Sequence, residues 1–229
     1  MKHLTHPLTV AALLAFNGGL VDTAGYLGLH GLFVAHVTGN FVTLGAALVS
    51  GGHGVIGKIL ALPEFVMVIA LSRLAGTVLR GGNLPARRIL FGVKVLLLLA
   101  FFALAVGCGP FTDGDSPLAL LTGFAGIAAM AFQNAVQRVH LAKMPPSTMM
   151  TGSTVQATLD LVDILTGAHP DQQADTRARF RRLSVTILAF AVGCAVSAVM
   201  YTYVGFWCLG LAVVVGFLAA AIPVNEGGT

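Results

Sequence analysis

The sequence predicts an all-α polytopic membrane protein, and three observations carry that expectation. Of 229 residues, 56% are hydrophobic and only 10% are charged, against about 25% charged in soluble domains. Apolar runs follow one another along the chain at spanning length, which is about 20 residues. A short polar motif recurs inside two of these runs: Thr38-Gly39-Asn40 in FVAHVTGNFVTLGAAL and Thr151-Gly152-Ser153 in PPSTMMTGSTVQATLDL. Asp22 precedes the first copy and Asn134 the second, at nearly equal spacing. The recurrence points to a duplicated unit within one transmembrane domain over 1–229, with repeat 1 at about 8–108 and repeat 2 at about 117–222.

The apolar segments are expected at roughly 8–29, 33–50, 59–80, 88–108, 117–138, 147–166, 183–203 and 205–222. Gly51-Gly52, Gly81-Gly82, Pro110 and Pro145-Pro146 punctuate them. The N-terminus opens with Lys2 and an apolar stretch, as a signal peptide does. No small-x-small cleavage site follows, and the stretch carries Asn17-Gly18-Gly19 and Asp22, so a retained helix is expected. The last two segments nearly touch, with Tyr201, Tyr203 and Trp207 at the join. Aromatic side chains favour a membrane interface, so a tight helical hairpin is expected there.

Charge sets the topology. The net charge of +4 comes mostly from arginines between apolar runs, which reads as membrane orientation and argues against a nucleic-acid partner. Arg80, Arg87 and Arg88 mark one loop as cytoplasmic, Arg138 and Lys143 a second, and Arg177, Arg179, Arg181 and Arg182 a third, with Asp113 and Asp115 on an external loop. If 147–166 crossed, the four-arginine loop would lie outside. That segment also holds Asp160 and Asp163, and a carboxylate at a helix centre costs about 2.5–3.5 kcal/mol. A segment that enters and returns fits better, and by analogy so does 33–50. The expected fold is about six spanning helices plus two re-entrant or broken segments in two inverted repeats, with both termini cytoplasmic. The alternative is eight spanning helices in a parallel repeat.

The run GGLVDTAGYLGLHGLFVAHVTGNFVTLG resembles the first signature of the YoaK-like bacterial inner-membrane proteins, a family of unknown function. Gly19-Leu20-Val21-Asp22 is followed by Phe33-Val34-Ala35-His36-Val37-Thr38-Gly39-Asn40. Gln133-Asn134-Ala135 followed by Thr148-Met149-Met150-Thr151-Gly152 is similar to the second. The chain departs at Ser153, where the family often repeats an Asn or a small residue, and at Ala131-Phe132, where a Gly often stands. The resemblance covers nearly the whole chain and implies the bacterial inner membrane; it brings no substrate or reaction.

Each polar residue inside an apolar run has a functional and a structural reading. Intramembrane carboxylates face a cavity or a partner charge. Asp22 is thus a proton- or cation-coupling group, or else an ion pair with Arg73 or Lys94. Thr38-Gly39-Asn40 and Thr151-Gly152 line a site, or else pack helices through small residues. Arg73 is too deep to snorkel; it attracts an anion or neutralises Asp22. Lys94 is near enough to its helix start to snorkel. Pro63 before Glu64 suits a helix start. His36 is a proton relay or a hydrogen-bonded packing residue. Asp160 and Asp163 share a helical face and are expected to pair with the Arg177–Arg182 cluster, with cation binding at a vestibule as the second reading.

Cys108, Cys194 and Cys208 show no CxxC spacing, and the seven histidines form no HExxH, so no metal or other cofactor is expected. No Walker loop or nucleophile elbow appears, and an enzyme is not expected. Gly193-Cys194-Ala195-Val196-Ser197 is a small-xxx-small stretch for helix packing or a homo-oligomer face. The reading that follows is a secondary transporter or channel-like permease for a small polar solute or proton. Its expected site residues are Asp22, His36, Thr38, Gly39, Asn40, Arg73, Gln133, Asn134, Thr151 and Gly152. The competing reading is a non-transporting assembly, lipid-binding or regulatory membrane protein with a packed midplane.

Overall fold

A computed structural model describes residues 7–223 apart from 83 and 169; Lys2 and both termini lie outside the described residues. Among the described residues there are eight α-helices: α1 (Pro7–Gly28), α2 (Asn40–Ser50), α3 (Val55–Gly81), α4 (Ala86–Cys108), α5 (Pro117–His140), α6 (Met150–Thr166), α7 (Gln173–Val204) and α8 (Leu209–Ala221). Five stretches among the described residues are long and apolar enough to cross a membrane: Pro7–Gly28, Val55–Gly81, Ala86–Cys108, Pro117–His140 and Pro170–Ala221. The last of these reverses at Gly205, whose φ of 56° lies in the left-handed region that glycine tolerates. It becomes the expected hairpin of α7 and α8, with Tyr201, Tyr203 and Trp207 at the bend.

Side-chain contacts give the helix directions. Along α7, Gly193 lies against Phe16, the Ser197 hydroxyl donates to the Leu20 carbonyl at 2.8 Å, and Tyr201 meets Gly28, so α7 runs parallel to α1. Phe206 sits at Gly28 while Ala219 clusters with Val10, so α8 runs back. Gln133 Nε2 donates to the Leu14 carbonyl, and Gly123 lies at Leu29, so α5 is antiparallel to α1. Phe101 at Gly126 and Phe91 clustered with Val136 set α4 antiparallel to α5. Gly57 at Leu120 sets α3 parallel to α5. α1 and α5 form the core: their apolar windows are 67% and 56% buried, against 28% for α3 and 33% for α4.

These directions decide the two intervening segments. The stretch between α1 and α3 starts and finishes at one end of the bundle, where Lys58 Nζ donates to the His30 carbonyl at 2.7 Å. The stretch between α5 and α7 starts and finishes at the other. Neither crosses, and α2 and α6 are short helices that climb back out. Six segments therefore run end to end, three in each direction. Arg80, Arg87, Arg88, Arg138, Lys143 and Arg177–Arg182 share the end where α1 begins; Asp113 and Asp115 lie at the opposite end.

Three local expectations change. Pro63 does not start a helix, because α3 begins at Val55. The Asp115 carboxylate, far away in sequence, accepts from the backbone N–H groups of Val55 (3.0 Å), Ile56 (2.8 Å) and Gly57 (3.3 Å). That cap satisfies donors a helix N-terminus always leaves open. The Arg177–Arg182 stretch is no loop but the early turns of α7. The small-xxx-small stretch packs within the chain: the backbones of α1 and α7 cross where Gly19 faces the Phe190 carbonyl and Gly193 faces the Phe16 carbonyl.

A methyl group at either glycine would collide with backbone, which cannot step aside. Gly19→Ala and Gly193→Ala are each expected to cost about 1–3 kcal/mol or more, read as a lower melting temperature in detergent. Gly45→Ala, with nothing within 4 Å of the new methyl, is expected to be neutral or stabilising by up to about 1 kcal/mol.

Candidate functional site

Each segment that turns back carries irregular backbone between helices, and such backbone must be satisfied from within. Asp22, 4% exposed, does this for the first. Its Oδ1 accepts from the N–H of Ala35 (2.7 Å) and His36 (3.3 Å), and its Oδ2 lies 2.9 Å from His36 Nδ1. Asn40 closes the same loop: Oδ1 accepts from the Phe33 N–H and Nδ2 donates to the Phe33 carbonyl, both at 2.8 Å. The partner of Asp22 is thus His36 and the loop backbone. Arg73 and Lys94, the cations expected to pair with it, lie elsewhere.

Amides of α5 hold the second loop. Gln137 Oε1 accepts from the Ser147 N–H at 3.1 Å while its Nε2 donates to the Pro145 carbonyl at 2.6 Å. Gln133 Nε2 donates to Ser147 Oγ at 3.0 Å and to the Leu14 carbonyl at 2.9 Å. Asn134 Oδ1 accepts from the Thr148 hydroxyl at 2.7 Å. The two loop tips approach each other at α1 and α7. Ser147 and Thr148 press on Gly18, one turn before Asp22, and the edge of Phe190 lies beside both Gly18 and the His36 ring.

The Thr-Gly corners themselves do not meet in a shared pocket. Thr38, Thr151 and Gly152 are exposed and Gly39 is half-buried. A cavity of about 670 Å³ lies between α3, α5 and the loop 141–149. Of the expected residues only Arg73 and Asn134 line it, alongside Ser72, Gly76, Arg80, Gln137 and Arg138 among others. Arg73 therefore faces the cavity and does not neutralise Asp22.

The expected acid–base pairing on α6 forms at Asp160. Arg179 Nη2 donates to Oδ1 at 2.6 Å and Nε to Oδ2 at 2.9 Å, with Gln156 adding a bond at 2.8 Å. The hydrogen bonds from Arg179, outweighing the effect of burial, hold the Asp160 carboxyl below the ordinary carboxylate range. Asp163 is half-buried and acts on Arg179 through its charge, without a hydrogen bond to it. Sequence reasoning missed three residues. Gln137, a turn beyond Gln133, was unmarked. Asp115 passed only as an external charge. Lys94 does not snorkel: it is fully buried. No three His, Cys, Asp or Glu side chains among the described residues are placed to share a metal ion.

The chain matches the family described as "Protein of unknown function (DUF1275)" over residues 10–222. It belongs to this family. It is also similar to UPF0700 transmembrane protein YoaK of Bacillus subtilis (strain 168), with 27% identity over 154 residues, covering 67% of this chain and 66% of that protein. The YoaK-like resemblance of the two signatures is thereby borne out. No solved structure matches.

Removing a clamp leaves loop backbone unpaired. Asn40→Ala is expected to cost roughly 1–3 kcal/mol for each Phe33 group left without a partner, read as a lower melting temperature and faster proteolysis within 29–39. The Asp160 pair stabilises with a defined pH sign. Its contribution is complete above the unfolded carboxylate value of about 3.9 and is lost as pH falls through the lower folded value. Melting temperature is expected to fall on acidification below about pH 4, and Asp160→Asn is expected to flatten that slope.

Proposed function

We propose that this chain is a secondary transporter of the bacterial inner membrane, built from two inverted repeats and working by alternating access. The observation that carries the reading is an asymmetry between two related grooves. Exchanging α1 with α5, α3 with α7 and α4 with α8 maps the bundle's main packing pairs onto one another, as inverted repeats require. Under that exchange the α3–α5 groove corresponds to the α7–α1 groove. The first holds the 670 Å³ cavity; the second is shut by the Gly19–Gly193 crossing and by His36 against Phe190. One groove open and its counterpart closed is what an alternating-access protein presents in one of its two states.

The positive-inside rule puts the arginine-rich end, and the start of α1, in the cytoplasm. The cavity lies toward that end, so the arrangement is inward-facing. Asp22 acts in this scheme as the clamp of the outer loop. One observation favours the rival, non-transporting reading: Asp22 is fully engaged, as that reading expects. The cavity beside Asn134 argues the other way, since a packed scaffold has no need of it.

Two thiols report the two grooves. In a chain with Cys108→Ser and Cys208→Ser, native Cys194 marks the α1–α7 face and Ala135→Cys the cavity. A membrane-impermeant maleimide applied to vesicles of each orientation is expected to modify position 135 quickly from the cytoplasmic side and Cys194 slowly from outside. A transported solute should shift the two rates in opposite directions. Rates that stay fixed across a broad panel of solutes, together with no flux in proteoliposomes, would sink the permease reading.

A further inference from the structure

We infer that the α3–α5 cavity receives an organic anion, a solute with a negatively charged head and an apolar body, and that Lys94 is the cation waiting at its inner end. The inference deepens the permease reading and rests on it for movement, though not for binding.

The cavity wall carries Arg73, Arg80 and Arg138, and no Asp or Glu lines it. Between these charges the wall is apolar, with Phe65, Ile69 and Val136 among its residues. A cationic lining without a counter-charge suits an anion, and Arg is the side chain that grips oxyanions in two-pronged fashion. The apolar surface suits the rest of such a solute. Arg80 stands at the end of α3 and Arg73 two turns deeper, so the positive charge continues inward.

Lys94 supplies the second, independent observation. It is 0% exposed, and its Nζ has no hydrogen-bond partner. Among the described residues it joins no ion pair. It does not itself line the cavity but lies one helical turn beyond Leu90, which does. Across the bundle, Gly216 of α8 leaves room for it: a methyl placed there would sit 3.1 Å from Lys94 Nζ and 3.2 Å from Asn17 Nδ2. An ammonium buried without a partner is far costlier than one that is paired, and an arriving anion is the partner that relieves it. Asn17 Oδ1 and Gln133 Oε1 are likewise buried and unpartnered.

Benzenesulfonate is a suitable probe, because it is permanently anionic and leaks little through lipid. Benzenesulfonamide is its neutral counterpart, and inorganic sulfate lacks the apolar body. Calorimetry on the full chain in phosphatidylcholine nanodiscs is expected to show saturable benzenesulfonate binding at least 10-fold tighter than either control. Arg73→Gln and Lys94→Gln should each weaken it 5-fold or more. Arg73→Lys, which keeps the charge, should recover part of the loss and shows that the fold is intact. Equal affinity for the sulfonamide, or indifference to both substitutions, overturns the inference. So does loss of binding when phosphatidylglycerol is added to the nanodisc, because the occupant is then a lipid headgroup. Charge-dependent binding without flux upholds the anion site and defeats the permease. Flux of neutral solutes insensitive to Arg73 does the reverse.

Discussion

Everything in this fold depends on satisfying backbone that turns round inside the bundle. A spanning helix satisfies its own N–H and C=O groups, whereas a loop at membrane depth cannot. The chain answers with side chains from its two most buried helices. From α1, Asp22 takes the amides of Ala35 and His36. From α5, Gln137 takes the Ser147 amide and serves the Pro145 carbonyl. A carboxylate is the stronger acceptor for two amides at once, and the loop it organises has its own histidine to face the second oxygen. The second loop has a proline pair and needs fewer donors satisfied, so neutral amides are enough. Charge is present at Asp22 because of what the backbone around it requires.

The same reasoning explains a difference between the two motif copies. Setting Thr38 against Thr151 places Asn40 opposite Ser153 and Phe33 opposite Pro146. Asn40 has a job, since Phe33 offers both an N–H and a carbonyl for it to hold. Pro146 has no N–H to offer, so an acceptor at position 153 has nothing there to receive. Ser153 turns back onto its own helix instead, toward the Met149 carbonyl. The difference between the two copies goes with the proline seven residues earlier.

Much of the fold was legible because membrane architecture is written in long, cheap signals: apolar length, arginine distribution and two carboxylates in a segment that ought not to cross. Six traversing segments, the terminal hairpin and the returning stretches all followed from those. What stayed hidden needed three-dimensional neighbours. No local pattern shows that Asp115 caps α3 or that Gln137 spans a loop, because the partner is fixed only when helices dock. Lys94 was misjudged for a related reason. Its distance from the helix start allows snorkelling, but snorkelling also requires the side chain to face lipid, and α1 and α8 close over it. Asp22 was recognised and its partner was not: a histidine in the neighbouring loop outcompeted two arithmetically plausible cations on distant helices.

On the duplicated reading, likeness between the halves ends at the centre. The alignment that pairs the motifs sets Asn17 against Met130 and Gln133 against Leu20, so each of these buried amides has an apolar counterpart in the other half. Two equivalent copies would give two equivalent stations, and a solute would be held equally well from either side. On the proposed permease reading, a single buried ammonium gives one station, reached first from one groove and then from the other. The symmetric parts, the crossing helices and the clamped loops, are those that have to move in both directions. On the same reading, the asymmetric part is the one that has to be unique for a single bound ion to be handed across.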